Sequence, residues 1–188
     1  MKISSGKFKG MPLYSPDLKV RPTLVKIRQA IFNILRPIIT DSIFIDLFSG
    51  TGAFGLEAIS NGASKVYFVE KNNIKYIIKN CEKFKLNKDF YDIIPGDYKM
   101  AIKFLVKKNI KADIIFADPP YNKGFVAELL KNDIIKDILN KNGILIIEIQ
   151  KNERKNLEQD LNAWIINKEK NYGDINILFL NLKENKNE

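Results

Sequence analysis

The stretch Ile43-Phe44-Ile45-Asp46-Leu47-Phe48-Ser49-Gly50-Thr51-Gly52-Ala53-Phe54-Gly55 constrains this chain more than any other. A short apolar run holds one carboxylate, Asp46, and ends in a turn with Gly50 and Gly52 before helical spacing begins at Ala53. Strand, glycine turn and helix open a βα unit, and open α/β sheets bind their ligands at such crossovers. Glycine lets the backbone approach a ligand where a Cβ would stand in the way. Glu70 closes the next apolar run, Val66 to Val69, at the place where an acidic residue accepts hydrogen bonds from both ribose hydroxyls.

The spacing Gly50-x-Gly52-x-x-Gly55 also satisfies the dinucleotide fingerprint, and a tight turn without a ligand has the same pattern. Asp46 discriminates, because a carboxylate late in a buried strand is costly without a partner. A pyrophosphate would repel it. A cationic amino-acid group, or an amide network bracing the loop, suits it. Asp46 therefore favours S-adenosylmethionine, which has no phosphate, over NAD.

A length of 188 residues suits one domain with a substantial core. Asp46 and Glu148 interrupt the best apolar stretches, so no membrane span is expected, and residues 1 to 20 lack a signal-peptide core. Cys81 is the lone cysteine, which fits a reducing cytoplasm. The absence of histidine excludes histidine triads and histidine metal sites, and one cysteine cannot build a thiolate zinc site. Net charge is +9, and residues 1 to 36 hold +7 of it through Lys2, Lys7, Lys9, Lys19, Arg21, Lys26, Arg28 and Arg36 against Asp17. A basic arm on a near-neutral domain reads as a phosphate-binding footprint, although lysine is abundant along the whole chain.

Residues 1 to 20 read as strand, turn, strand, punctuated by Gly6, Gly10, Pro12 and Pro16. Thr23 is the expected N-cap of a helix striped by Leu24, Ile27, Ile31, Ile34 and Leu35 and stopped at Pro37, with Arg28 and Gln29 off the stripe and free to face a cleft. Strands are expected at 43–47, 65–69, 90–94, 112–117 and 144–149, and helices at 53–61, 72–86, 98–108, within 124–140 and at 153–160. Two late runs, 163–168 and 175–182, joined at Tyr172-Gly173, read as an antiparallel hairpin. The alternation predicts a three-layer α/β sandwich. The tail after Leu182 is expected to fray.

Asp118-Pro119-Pro120-Tyr121 follows the fourth strand. Two prolines remove two donors, so local carbonyls stay free as acceptors. Asp118 adds a carboxylate and Tyr121 a flat face for a base. Two acceptors on an exocyclic amine pull it toward a tetrahedral shape and aim its lone pair at an electrophilic methyl. The same tetrapeptide suits N6 of adenine in DNA or RNA.

With these residues in place, the chain resembles the bacterial 16S ribosomal RNA guanine-N2 methyltransferases of the RsmD type. Gly6-x-x-Lys9-Gly10, Arg21-Pro22-Thr23, Arg28-x-x-x-Phe32-Asn33, the Asp46 glycine loop, Glu70 and Asp118-Pro119-Pro120-Tyr121 carry the resemblance. Gln29 departs from it, since a glutamate usually follows the helix arginine. The resemblance implies a Rossmann-like class I methyltransferase fold with a seven-stranded, mostly parallel sheet, its last strand antiparallel. It implies a basic extension at 1–37 and a catalytic core at 43–182 within a single domain. It implies S-adenosylmethionine as methyl donor, a small-subunit RNA guanine as substrate, preferably in an assembled particle, a monomer, and no metal. Asp46, Phe48, Ser49, Gly50, Thr51, Gly52, Glu70, Lys71, Asp97, Tyr98 and Asp118 are then the expected donor-binding residues. Asp118, Pro119, Pro120 and Tyr121 are the expected catalytic residues, and Lys7, Lys9, Arg21, Thr23 and Arg28 the expected RNA contacts. Two rivals remain at this level, an adenine-N6 methyltransferase and an RNA-binding assembly factor that keeps the fold without turnover.

Overall fold

The computed structural model describes residues 1–16 and 22–183, with the side chains of 22–24 excepted. Arg21 and the tail from 184 therefore lie outside the described residues. The chain forms a seven-stranded mixed sheet and divides into two compact units, Met1–Ala101 and Ile102–Glu188.

In the first unit the apolar run at Ile43 becomes strand β1 (Ile43–Asp46), whose last three residues are buried. Strands β2 (Lys65–Glu70) and β3 (Tyr91–Pro95) add to it in parallel, in the order β3-β2-β1, with Asp46 beside Phe68 and Phe68 beside Ile93. Their carboxyl ends therefore share one edge, and that edge carries the glycine loop, Glu70 and Gly96-Asp97. Helix α1 (Pro22–Leu35) precedes the sheet, α2 (Ala53–Ser60) follows the glycine loop, and α3 (Ile74–Lys83) joins β2 to β3. Helix α4 (Tyr98–Lys107) leaves β3.

The second unit takes in α4 from Ile102 onward and continues with β4 (Ala112–Ala117), α5 (Phe125–Lys131) and α6 (Asp133–Asp137). Strand β5 (Leu139–Gln150) pairs parallel with β4, and the short α7 (Lys151–Arg154) follows it. The hairpin of β6 (Trp164–Tyr172) and β7 (Ile175–Leu182) places β7 antiparallel to both β5 and β6. The antiparallel last strand and the turn at Gly173 are as the sequence predicts.

Five expectations change, the first being the helix at 153–160, which is instead the short α7 ending at Arg154 and a 3-10 turn at Glu158–Leu161. Residues 1 to 16 form no strand pair, only an isolated bridge between Lys2 and Pro12. Proline has no N–H with which to continue a ladder. Helix α1 starts at Pro22, so Thr23 is its second residue and not its cap. Proline suits the first helical position because its missing N–H has no intrahelical partner there anyway. Helix α3 is shorter than expected, since the Glu70 carboxylate binds the N–H groups of Asn72 and Asn73 and Lys85 turns left-handed at φ 50°. Strand β5 starts five residues early, because Asn140, Lys141 and Asn142 extend along it with exposed or half-exposed side chains that hydropathy reads as loop.

The first residues are fastened by Glu57 on α2. Its buried carboxylate accepts the Ser4 N–H at 2.9 Å, the Ser5 N–H at 2.6 Å and both serine hydroxyls. Arg28, 2 % exposed, donates its Nε to the same carboxylate at 3.0 Å and Nη2 to the Lys2 carbonyl at 2.6 Å. Arg28 therefore does not face a cleft. Ion pairing and burial withhold it from any phosphate, and the expectation that it contacts RNA is corrected here. Gln29 is exposed, and the carboxylate partner of Arg28 is Glu57, distant in sequence.

Candidate active site

The glycine loop is built from three different demands. Gly50 has φ 54° and faces open space, so a side chain there would meet strain without any contact. Gly52 caps α2 in the left-handed region at φ 81°. Gly55 is a packing requirement, since an added Cβ would lie 2.2 Å from the Phe68 ring and 2.8 Å from Val66. The loop is closed by Gly52 N–H on the Ser49 carbonyl at 2.7 Å and Ser49 N–H on Val69 at 3.0 Å.

Asp46 is buried at the end of β1. Its Oδ2 accepts the Gly55 N–H at 3.1 Å, which braces the loop, while its Oδ1 is buried without a hydrogen-bond partner. Burial pushes its carboxyl up to about 7, the Gly55 N–H opposes part of the rise, and the nearby Glu70 carboxylate adds to it. A buried acceptor without a donor is expensive and points to a missing donor group. One oxygen therefore serves the loop, and the other lies buried without a donor.

Glu70 comes to the same edge already engaged. Oε2 accepts the Gly50 N–H at 2.7 Å, and Oε1 accepts those of Asn72 and Asn73 at 2.8 and 3.0 Å. A carboxylate offers about four lone-pair positions, so about one remains. Glu70 has room for one hydroxyl without rearrangement and not for the expected two. The Ser49 hydroxyl is bonded to the Asp46 carbonyl at 2.8 Å, so that group braces the turn. Asp97 caps α4 through Oδ1, which accepts the Met100 N–H at 3.0 Å, and its remaining oxygen sits on an exposed side chain beside Gly96, where a Cβ would meet nothing within 4 Å. Phe48, half-buried, packs on buried Tyr98 with ring centroids 5.2 Å apart. Thr51 is half-buried in the loop and Lys71 is exposed beside Glu70. Asp46, the Gly50–Gly52 loop, Glu70 and Asp97 of the first unit thus lie along one sheet edge.

In the second unit Asp118 leaves β4 half-buried, followed by buried Pro119, exposed Pro120 and half-buried Tyr121. The Tyr121 hydroxyl donates to Glu148 at 2.6 Å, and Glu148 is buried in β5. Burial first, then the Asp118 and Glu148 carboxylates, raise the Tyr121 phenol far above its ordinary range, so it stays a donor. Burial also raises the Glu148 carboxyl, opposed by the Tyr121 hydrogen bond. Asn122, at φ 56°, donates its N–H to Glu153 at 2.9 Å and its side-chain amide to Gln150 at 2.7 Å. The proline loop is thus pinned at Tyr121 and at Asn122 just after it. Glu148, Gln150 and Glu153 escaped the sequence reading. The available signal was Glu148 itself, a carboxylate in an apolar strand with the same cost as Asp46.

Lys7 and Lys9 are exposed on the segment that Glu57 and Ser60 hold, with the Lys7 N–H on the Ser60 carbonyl at 2.7 Å. No helix among the described residues is long and apolar enough to cross a membrane.

A glycine loop after β1, an acid ending β2 and an Asp-Pro-Pro-Tyr loop after β4, on a sheet with an antiparallel last strand, define an α/β methyltransferase fold. The putative methyltransferase yhhF of Escherichia coli has this fold, with a TM-score of 0.83 and 27 % identity over 98 % of this chain and 99 % of that one. More narrowly, residues 1–181 match the family described as conserved hypothetical protein 95, and the chain belongs to that family. Its curated relatives include the ribosomal RNA small subunit methyltransferase D of Escherichia coli strain K12, 29 % identical over 182 residues, covering 93 % of this chain and 86 % of the relative. The protein of the same name from Buchnera aphidicola subsp. Baizongia pistaciae is 34 % identical over 186 residues, covering 90 % and 86 %. The RsmD-type resemblance read from the sequence is borne out.

Proposed function

We propose that the chain is an S-adenosylmethionine-dependent methyltransferase acting on the exocyclic N2 amine of a guanine in 16S RNA of the small ribosomal subunit. The observation that carries the cofactor reading is Asp46, with a buried acceptor oxygen that lacks a donor beside an open glycine loop. An amino-acid ammonium fits that oxygen, and a pyrophosphate would be repelled by it. The residues present fit the donor: Asp46 for the ammonium, the open backbone at Gly50 and Gly96, one position on Glu70 for a ribose hydroxyl, and Asp97 for the adenine amine. When bound, the donor supplies an electrophilic methyl on a sulfonium.

Asp118 and the Pro119 carbonyl accept the two N–H groups of the target amine and orient its lone pair. Tyr121, held by Glu148, presents its ring to the base. The base leaves its stack to be held in this way. Rate enhancement then comes mainly from positioning. The names of the relatives support small-subunit RNA as the substrate, and the exposed Lys7 and Lys9 suit its phosphates. In this reading the chain is a single methyltransferase domain that acts in the cytoplasm.

The experiment is transfer of a labelled methyl group to undermethylated small subunits, free 16S RNA and DNA in parallel. Label in the small-subunit RNA supports the proposal. Label in DNA alone, or binding of NADH with no binding of S-adenosylhomocysteine, overturns it.

A further inference from the structure

Helix α3 carries Lys75, Lys79 and Lys83 at intervals of four. Three ammonium groups therefore follow one side of the helix in steps of about 6 Å. The other side is buried through Ile77, Asn80 and Cys81. None of the three lysines makes an ion pair among the described residues. Lys83 instead lies over the ring of Tyr14, 4.5 Å from its centroid, and Tyr14 is 49 % exposed.

Tyr14 is held from behind. Buried Asn80 accepts the Tyr14 N–H at 2.7 Å and donates to the Tyr14 carbonyl at 3.1 Å and to the Thr51 carbonyl at 3.0 Å. Its backbone is fixed while its ring fronts an open groove of about 450 Å³ lined by Tyr14, Lys79, Glu82 and Lys83.

We propose that this face of α3 is a contact surface for the backbone of single-stranded RNA, with Tyr14 as the platform on which a base stacks. The proposal rests on the RNA reading above and adds to it a surface whose cations lie on α3, outside the basic arm, beside Tyr14 of the arm. A row of cations beside a fixed aromatic ring is what sequence-tolerant single-strand binding uses: phosphates follow the charge and a base covers the ring. Lysine abundance alone scatters charge and does not explain a ring anchored by a buried amide. On β6, by contrast, Lys168 and Lys170 flank Glu169, which is bonded to Arg154. Glu82 is the carboxylate in the groove and opposes a phosphate there.

The test compares the Lys75→Gln/Lys79→Gln/Lys83→Gln variant with Lys111→Gln/Lys168→Gln/Lys170→Gln, which loses the same charge elsewhere. Binding to single-stranded polyuridine and to small subunits is titrated against salt, with S-adenosylhomocysteine affinity as the check on folding. Three phosphate contacts predict a slope of log affinity against log salt that flattens by about 2 in the α3 variant. The control variant keeps the wild-type slope. Tyr14→Ala weakens binding at every salt with the slope unchanged, and Glu82→Gln tightens it. A wild-type slope in the α3 variant, or equal flattening in both variants, overturns the proposal. If wild-type protein methylates RNA while the α3 variant keeps its slope, only the α3 surface falls. If wild-type protein neither binds nor methylates RNA, the RNA reading falls with it.

Discussion

Asp46 makes donor binding a proton-linked event. Its carboxyl titrates at about 7 in the ligand-free protein, chiefly because it is buried. An ammonium on its unpartnered Oδ1 requires the ionised form, so binding must expel whatever proton is there. At pH 6 about nine-tenths of the molecules carry that proton, at pH 7 about half and at pH 8 about one-tenth, and these fractions are the protons released per ligand bound. Affinity for S-adenosylhomocysteine should accordingly be about tenfold weaker at pH 6 than at pH 8. Calorimetric titrations in buffers of different ionisation enthalpy read the proton count directly. Burial raises the Glu148 carboxyl as well, so Asp46→Asn identifies the source: it should remove the linkage along with most of the affinity. The same shift has a sign for stability. Because the folded pKa lies above the unfolded 3.8, the folded state holds the extra proton between about pH 4 and 7. Stability of the ligand-free protein therefore falls across that window by up to about 1.4 kcal/mol per pH unit. Proton release of zero at pH 6 to 7, with pH-independent affinity, would refute the placement of an ammonium on Asp46.

Three further substitutions separate roles. Arg28→Gln should lower stability by about 3–5 kcal/mol in chemical denaturation, because it leaves the Glu57 carboxylate buried without its cation, while the salt slope of RNA binding stays as in the wild type. Asp118→Asn should leave S-adenosylhomocysteine affinity nearly unchanged in calorimetry and reduce turnover by about 10² or more, since a donor would then oppose an N–H of the target amine. Gly55→Ala should cost about 1–3 kcal/mol in thermal or chemical unfolding, because the new Cβ must displace the Phe68 ring from 2.2 Å.

Local signals are legible in the sequence and distant pairings are not. Strand β4 and the loop at Asp118 were legible to the residue, because an apolar run stops at a carboxylate followed by two prolines. Gly50, Gly52 and Asp46 were legible for a similar reason, as each breaks the pattern of its neighbours. The burial of Arg28 is not legible, because a charge on a helix is ordinarily solvent-facing and its partner Glu57 lies 29 residues away. Glu148 was passed over for the same cause, with Tyr121 27 residues before it. The clasp of Ser4 and Ser5 by Glu57 spans more than 50 residues and leaves no periodicity to detect. Polar residues that extend a strand, as at Asn140 to Asn142 in β5, are hidden from hydropathy, and here they fall where the register against β4 shifts between Leu139 and Ile144.

The central claim is that Asp118 and the Pro119 carbonyl present a guanine N2 amine for methylation. Digestion of methyl-labelled small-subunit RNA to nucleosides tests it most directly, with wild-type and Asp118→Asn protein run side by side. The account predicts label in N2-methylguanosine for the wild type and at least a hundredfold slower label for the variant, roughly as expected for a lost transition-state contact. Label in N6-methyladenosine, or equal rates for the two proteins, would contradict it.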